Sequence, residues 1–239
     1  MTVNGALLGV LDADPELRDA VAAGELASAG AQARAAVLSV PAGKWKLWPA
    51  DAQGGFGLLI VEGVLTRAAK LLGRTSMELV GKEDLIRPWD EPEEDVSVPY
   101  EVSWTVLREA RMAILDEVFV QRVSPWPGIG AALAGRCARR ARWLACQVAM
   151  LENPRLEVRL LLLFWHLADR WGRVVPEGVV VAIPLTHQML GRLVRAQRPS
   201  VTASLRELAS RDMLIGYHDG DWILRGDPNE QLRLLCEGR

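Results

Sequence analysis

Apolar positions in this chain recur with two different periods, and the change of period divides it. From residue 12 to about 36 the sequence is alanine-rich, with Asp14 placed to cap a helix and Pro15 in its first turn, where a missing amide costs nothing. One or two helices are predicted there. Beyond them, short apolar segments at 36–40, 57–61, 77–80, 102–107 and 112–115 are separated by Gly, Pro and Asp clusters. Five or more short strands at such spacing predict a small β-roll or sandwich. The run Asp90-Glu91-Pro92-Glu93-Glu94-Asp95 reads as a solvated acidic loop.

After Ser124-Pro125-Trp126-Pro127-Gly128 no proline recurs until Pro154, and 129–152 is rich in Ala, Leu and Arg, which predicts a long helix. Leu133, Cys137, Arg140, Leu144, Val148 and Leu151 fall three or four residues apart and draw a mostly apolar stripe along one side. Such a stripe needs a partner, either its own domain or a second copy of the helix, and the pattern alone favours the former. Asn153-Pro154 ends the helix; a strongly apolar helical pattern resumes over 157–171 and stops at Gly172.

The next stretch carries the functional signal. Thr186 is placed to cap a short helix over 187–194 that buries Leu190 and Leu193. A turn of three or four residues follows, and a second helix begins near Arg198, tolerates Pro199 in its first turn and buries Val201, Leu205 and Leu208. Gly191 sits where the two helices must approach closely. This is a helix-turn-helix pattern. Such a unit offers the start of its second helix to the major groove, so Arg198, Ser200, Thr202 and Ala203 face outward. Arg198 is the candidate base reader, because a guanidinium pairs bidentately with a guanine edge. Ser200 and Thr202 suit phosphate or base edges, and Thr186 and Gln188 lie where a backbone phosphate would pass. Downstream, 213–224 shows two short apolar segments around Asp219-Gly220, a dipeptide suited to a tight hairpin turn, which completes a winged helix.

Composition narrows the partner. The chain has 239 residues, 50% apolar and 24% charged, with net charge −2, which fits one large soluble domain or two ordinary ones. No apolar run approaches the roughly 20 residues of a membrane helix, and the N-terminus lacks the basic-then-apolar layout of a secretory signal, so a cytoplasmic location is expected. Three cysteines, Cys137, Cys146 and Cys236, form no zinc or disulfide spacing and read as reduced, structural residues. The near-neutral total hides a split: 11 basic against 19 acidic residues up to position 120, then 17 basic, all arginine, against 11 acidic. Arginine in excess, with five arginines against two acids over 183–216, makes nucleic acid the candidate partner.

Other chemistry finds little support. Gly81-Lys82 lacks the rest of a phosphate loop, Gly128-Ile129-Gly130 lacks a third glycine, and no catalytic serine elbow or zinc helix occurs. His187 has no second ligand at helical spacing and reads as a surface residue or phosphate contact rather than a metal ligand. Arg87, Trp89 and Trp104 are candidates to line a sensor pocket, although core and turn roles suit them too.

Residues 185–214 resemble the C-terminal DNA-binding domain of the Crp/Fnr family of bacterial transcription regulators. The likeness rests on Leu185-Thr186-His187-Gln188, Leu193-Val194, and Arg198-Pro199-Ser200-Val201-Thr202 followed by Leu205 and Leu208. Residues 57–63 and 79–86 resemble parts of that family's N-terminal roll. The resemblance implies an α+β chain: a cyclic-nucleotide-binding-like jelly roll over 1–126, a dimerisation helix over 127–153 and a winged helix-turn-helix over 154–239. It implies a homodimer acting on double-stranded DNA, with RNA polymerase as a further partner and Arg195 and Gln197 joining the DNA-contacting set. Arg195 and Pro199 stand where many relatives carry glycine and glutamate. Where cyclic-nucleotide binders have their phosphate-gripping signature, this chain reads Arg87-Pro88-Trp89-Asp90-Glu91-Pro92, so a cyclic-AMP response is not expected. With no cysteine before Cys137 and all three histidines in the C-terminal half, neither an iron–sulfur cluster nor haem is expected, and the effector is left open. The competing reading is a small-molecule sensor or protein-interaction module whose DNA-binding part has lost its role.

Overall fold

Alternating burial along β-branched and aliphatic segments makes most of the first half an antiparallel sheet. The computed structural model describes residues 2–46, 54–90 and 97–237 and divides into two units, 1–142 and 143–239. Most of the predicted acidic loop, from residue 91 on, lies outside the described residues.

The first unit opens with strand β1 (Thr2–Gly9) and the short helices α1 (Val10–Ala13), α2 (Pro15–Asp19) and α3 (Leu26–Gln32). Asp14 caps α2, accepting from the Leu17 amide at 3.2 Å. There follow β2 (Arg34–Val40), β3 (Gly43–Trp45), β4 (Gly57–Leu71), β5 (Arg74–Gly81), β6 (Leu85–Ile86) and β7 (Glu101–Leu115). The strands run in the order β1-β2-β7-β4-β5, with β3 also on β7 and β6 also on β4. The segments expected at 102–107 and 112–115 are therefore one strand. It stays paired because its register with β4 shifts between Ile60 and Leu65, which absorbs the polar interruption at Arg108 and Glu109. Gly63 makes that shift possible: its φ is +99°, and a Cβ there would lie 2.6 Å from the Ala110 Cα.

Two apolar clusters fill this unit. One gathers Val10, Leu17, Ala29, Leu115, Phe119, Ile129 and Leu133 beneath the helices. The other gathers Leu38, Trp45, Leu58, Ile60, Val80, Ile86, Trp104 and Met112 from the strands of the sheet. Each such side chain contributes roughly 1.5–3 kcal/mol of burial. Helix α4 (Glu117–Val123), capped by Asp116, leads into α5 (Pro127–Leu151), the long helix.

The stripe expected along α5 is two faces rather than one. Leu133 is buried, Arg140, Leu144 and Leu151 are half-buried, but Cys137 and Val148 are exposed. The cysteines expected to pack, Cys137 and Cys146, are both free and exposed; the side chain of Cys236 lies outside the described residues. Arginines fix the inner face. Arg136 donates to Asp14 at 2.6 Å, Glu16 at 3.2 Å and the Glu83 carbonyl at 3.2 Å. Arg139 grips Glu16 with two bonds of 2.8 and 2.6 Å, and Arg140 reaches Glu78 at 2.6 Å. The Arg139 bond holds the Glu16 carboxyl below its usual value against the opposing effect of burial. The opposite face, left open, presents Ala131, Ala134, Ala138, Ala141, Ala145 and Val148 at alternating spacings of three and four.

In the second unit, α6 (Leu156–Trp171) is followed by β8 (Gly172–Val175), β9 (Gly178–Val181), α7 (His187–Leu193), α8 (Arg198–Ser210), β10 (Leu214–Gly216), β11 (Trp222–Leu224) and α9 (Pro228–Glu237). A four-stranded sheet runs β10-β11-β9-β8. The core joins Leu160, Phe164 and Leu167 of α6 to Leu190, Val201, Leu205, Leu208 and Ile223. His166 stacks on Trp143 with ring centroids 3.3 Å apart. Burial pushes His166 toward its neutral form, outweighing Asp169 and a hydrogen bond to the Trp143 backbone. Among the described residues no helix is long and apolar enough to cross a membrane.

Candidate nucleic-acid interface

The two helices of the motif form where their caps and apolar spacing place them. Thr186 accepts from the Met189 amide at 3.2 Å and starts α7. The turn after α7 depends on Gly191, whose carbonyl accepts from the Ala196 amide at 2.8 Å. A Cβ on Gly191 would lie 2.6 Å from the Ala196 oxygen, so only glycine fits. Arg195 takes the left-handed conformation, φ +52°, a backbone that favours glycine. From α6, Arg159 donates to the Val194 carbonyl at 2.8 Å and pins the turn.

Helix α8 is pinned from behind in the same way. Ser204 donates to Glu157 at 2.7 Å. Burial alone would raise the Glu157 carboxyl, but that bond, its backbone amide, Arg155 and Arg211 together bring it below its ordinary value. Val201, Leu205 and Leu208 are buried, so the opposite side of α8 faces solvent.

Arg198, Ser200 and Ala203 are exposed on α8, as are Thr186, Gln188, Arg195 and Gln197 around the turn. Thr202 differs: it is half-buried, and its hydroxyl donates to the Arg198 carbonyl at 3.0 Å and meets His187 Nδ1 at 2.8 Å. That hydroxyl holds the two helices together instead of standing free. Two residues outside the expected set belong to the same surface. Arg206 lies one turn beyond Thr202 and Ala203, exposed, and Arg192 is exposed in the last turn of α7. The i, i+3 and i, i+4 spacing from Thr202 and Ala203 marks Arg206 in the sequence.

The acids of this surface are already matched. Glu207 pairs with Arg211 at 2.7 Å and Asp212 with Arg225 at 2.7 Å. Among the described residues, Arg192, Arg195, Arg198 and Arg206 make no ion pair or side-chain hydrogen bond. Four unneutralised guanidinium groups, at the end of α7, in the turn and over the first three turns of α8, can bind an array of phosphates and probe a groove. The hairpin after α8 forms between β10 and β11, but its connection is a five-residue loop holding a 3-10 turn, His218–Gly220, closed by the Tyr217 amide on the Asp221 carbonyl at 2.8 Å. The two-residue turn expected at Asp219-Gly220 is not adopted.

Each candidate pocket residue of the first unit has its own local contacts. Arg87 is bonded to the Gly55 carbonyl and to Asp90. Trp104 is buried against Trp45, rings 6.2 Å apart and edge-on. Trp89 is half-buried, with its indole N–H sealed and unpartnered and Arg87 5.8 Å from its ring.

A roll followed by a long helix and a winged helix-turn-helix is the architecture of CRP-like transcription regulators, and solved structures of that kind match this chain. A CooA mutant from Carboxydothermus hydrogenoformans superposes with a TM-score of 0.64 at 12% identity, over 98% of this chain and 97% of that one. FixK2 from Bradyrhizobium japonicum gives 0.61 at 15% identity, over 84% and 96%. TTHB099, a CRP-family transcriptional regulator from Thermus thermophilus, gives 0.55 at 19% identity, over 82% and 95%. No protein-family model and no curated protein matches the chain.

Proposed function

We propose that the chain is a sequence-specific, double-stranded-DNA-binding transcription regulator that works as a homodimer and catalyses no reaction. The observation that carries this reading is the exposed side of the helix-turn-helix, where Arg198 at the start of α8 and Arg192, Arg195 and Arg206 on α7, the turn and α8 have no acidic partner among the described residues. Arg198 would read a guanine edge while Ser200, Gln188, Thr186 and Gln197 meet phosphates and Ala203 packs near a base. The open alanine and valine face of α5 supports pairing with a second copy, because residues spaced three and four apart form a coiled-coil seam. Two winged helices would then read half-sites about one duplex turn apart, and RNA polymerase is the partner through which bound protein would act. A response to cyclic AMP is not part of this proposal: Arg87 is spent on Asp90 and Gly55, and Trp45 and Trp104 pack on each other in the apolar cluster of the sheet.

Footprinting on genomic fragments tests the proposal. The expected result is protection of a two-fold-related pair of sites, with Arg198→Ala losing sequence preference while retaining weaker, salt-sensitive binding. Protein that protects no fragment at low salt would contradict it and favour the sensor or interaction module.

A further inference from the structure

Helix α8 turns roughly 100° per residue, and Val201, Ser204, Leu205 and Leu208 form its buried side. The line opposite them runs through Pro199, Ala203, Arg206 and Ser210, all exposed, with Arg198 and Ser200 on its two flanks. The centre of the surface that α8 offers a duplex is therefore apolar over its first two turns, because neither Pro199 nor Ala203 carries a side-chain hydrogen-bonding group. Thr202, between Arg198 and Ala203 around the helix, extends that character. Its hydroxyl donates to the Arg198 carbonyl at 3.0 Å and lies 2.8 Å from His187 Nδ1, which leaves the methyl as the group Thr202 can offer a ligand. Ser210 is likewise bonded to its own backbone, donating to the Glu207 carbonyl at 2.8 Å. Along the outward line the uncommitted polar group among the described residues is the Arg206 guanidinium.

The base edges in a major groove are hydrogen-bond donors and acceptors, and the apolar group that projects among them is the 5-methyl of thymine. A polar edge set against Pro199 and Ala203 gives up its water and gains no partner, whereas a methyl there gains apolar burial. The unpaired arginines beside the patch, Arg198 and Arg206, favour a polyanionic duplex over an apolar protein surface as its occupant. We propose, resting on the DNA-binding reading above, that Pro199, Ala203 and the Thr202 methyl select thymine through its 5-methyl group, so that each half-site carries thymine beside the base pair read by Arg198. Arg198 seats the helix start in the groove, and the apolar patch discriminates next to it.

The test starts from duplexes that the full-length protein selects at low salt from a randomised pool, each then remade with deoxyuridine in place of thymidine. Uracil keeps the hydrogen-bonding edges of thymine and lacks only the methyl. Wild type is expected to select half-sites that contain thymine and to bind the remade duplexes about fourfold more weakly for each methyl it contacts. Uracil outside the half-sites should leave binding unchanged. Pro199→Ala combined with Ala203→Gly should lose most of the difference between the two duplexes, with thermal melts to confirm folding because glycine weakens an exposed helix. Ala203→Ser, which keeps the helix and sets a hydroxyl where the methyl would lie, should lower the difference as well. Selected half-sites without thymine, equal wild-type binding to the thymine and uracil duplexes, a loss just as large for uracil outside the half-sites, or a loss undiminished in both variants overturns the proposal alone. Protein that selects no duplex at low salt overturns it together with the function proposed above.

Discussion

The arginines of the long helix and those of the helix-turn-helix are the same side chain put to opposite uses. On α5, Arg136 is 2% exposed and held by Asp14 and Glu16, while Arg139 and Arg140 are each matched to a carboxylate of the first unit. Around α7 and α8, Arg192, Arg195, Arg198 and Arg206 are exposed and unpaired among the described residues. A buried charge needs its partner because desolvation is costly, so the first group is structural. An exposed guanidinium gives up little hydration and keeps its donors for a ligand. Charge alone therefore does not mark a binding surface; the proposed one rests on partnerless guanidinium groups gathered on the helices of one motif.

The comparison breaks most visibly at Arg136. Arg136→Met strands Asp14 in the interior and is expected to destabilise the first unit by about 3–5 kcal/mol in denaturant unfolding. By contrast Arg198→Gln should leave the unfolding midpoint within error while costing about 1–3 kcal/mol of discrimination between sites, read by competition between duplexes. Gly191→Ala drives a Cβ into the Ala196 carbonyl, so a loss of about 1–3 kcal/mol in stability should accompany loss of DNA binding. Arg195→Gly sharpens the contrast further. Relief of the left-handed backbone should stabilise the second unit by about 1 kcal/mol, yet removal of the charge should lower the salt dependence of DNA binding. The smallest effect is expected at Ser204→Ala. Glu157 is lowered in the folded protein, so the stability it contributes is present above its ordinary value of 4.5 and is lost as pH falls through the lowered folded value. Wild type should exceed Ser204→Ala by about 1 kcal/mol at neutral pH, and the gap should close in acid melts.

What could be read from the sequence was local. The caps at Asp14 and Thr186, the glycine at the turn and the apolar spacing of Val201, Leu205 and Leu208 all act within a few residues, and each lies where expected. Long-range pairing was not legible. Glu62 and Gly63, or Arg108 and Glu109, look like strand ends until the bulge that pairs β4 with β7 carries both strands past them. Strands β1, β8 and β9 carried too weak an alternation to be read. Arg140 fell into an apolar stripe because its partner, Glu78, lies 62 positions away in sequence. At the candidate site, the sequence presents Thr202 as a free contact because its hydroxyl's approach to His187 Nδ1 crosses between helices. Arg206 lies beyond the first turn and a half of α8, outside the positions that the motif marks for groove contact.

The dependence of DNA affinity on salt tests the central claim most directly. For wild type, log K should fall linearly with log salt, and the variant carrying Arg192→Gln, Arg195→Gln, Arg198→Gln and Arg206→Gln should show a slope shallower by roughly 0.9 for each arginine that meets a phosphate, with unchanged thermal stability. An identical slope in the two proteins would show that these four free arginines do not face DNA.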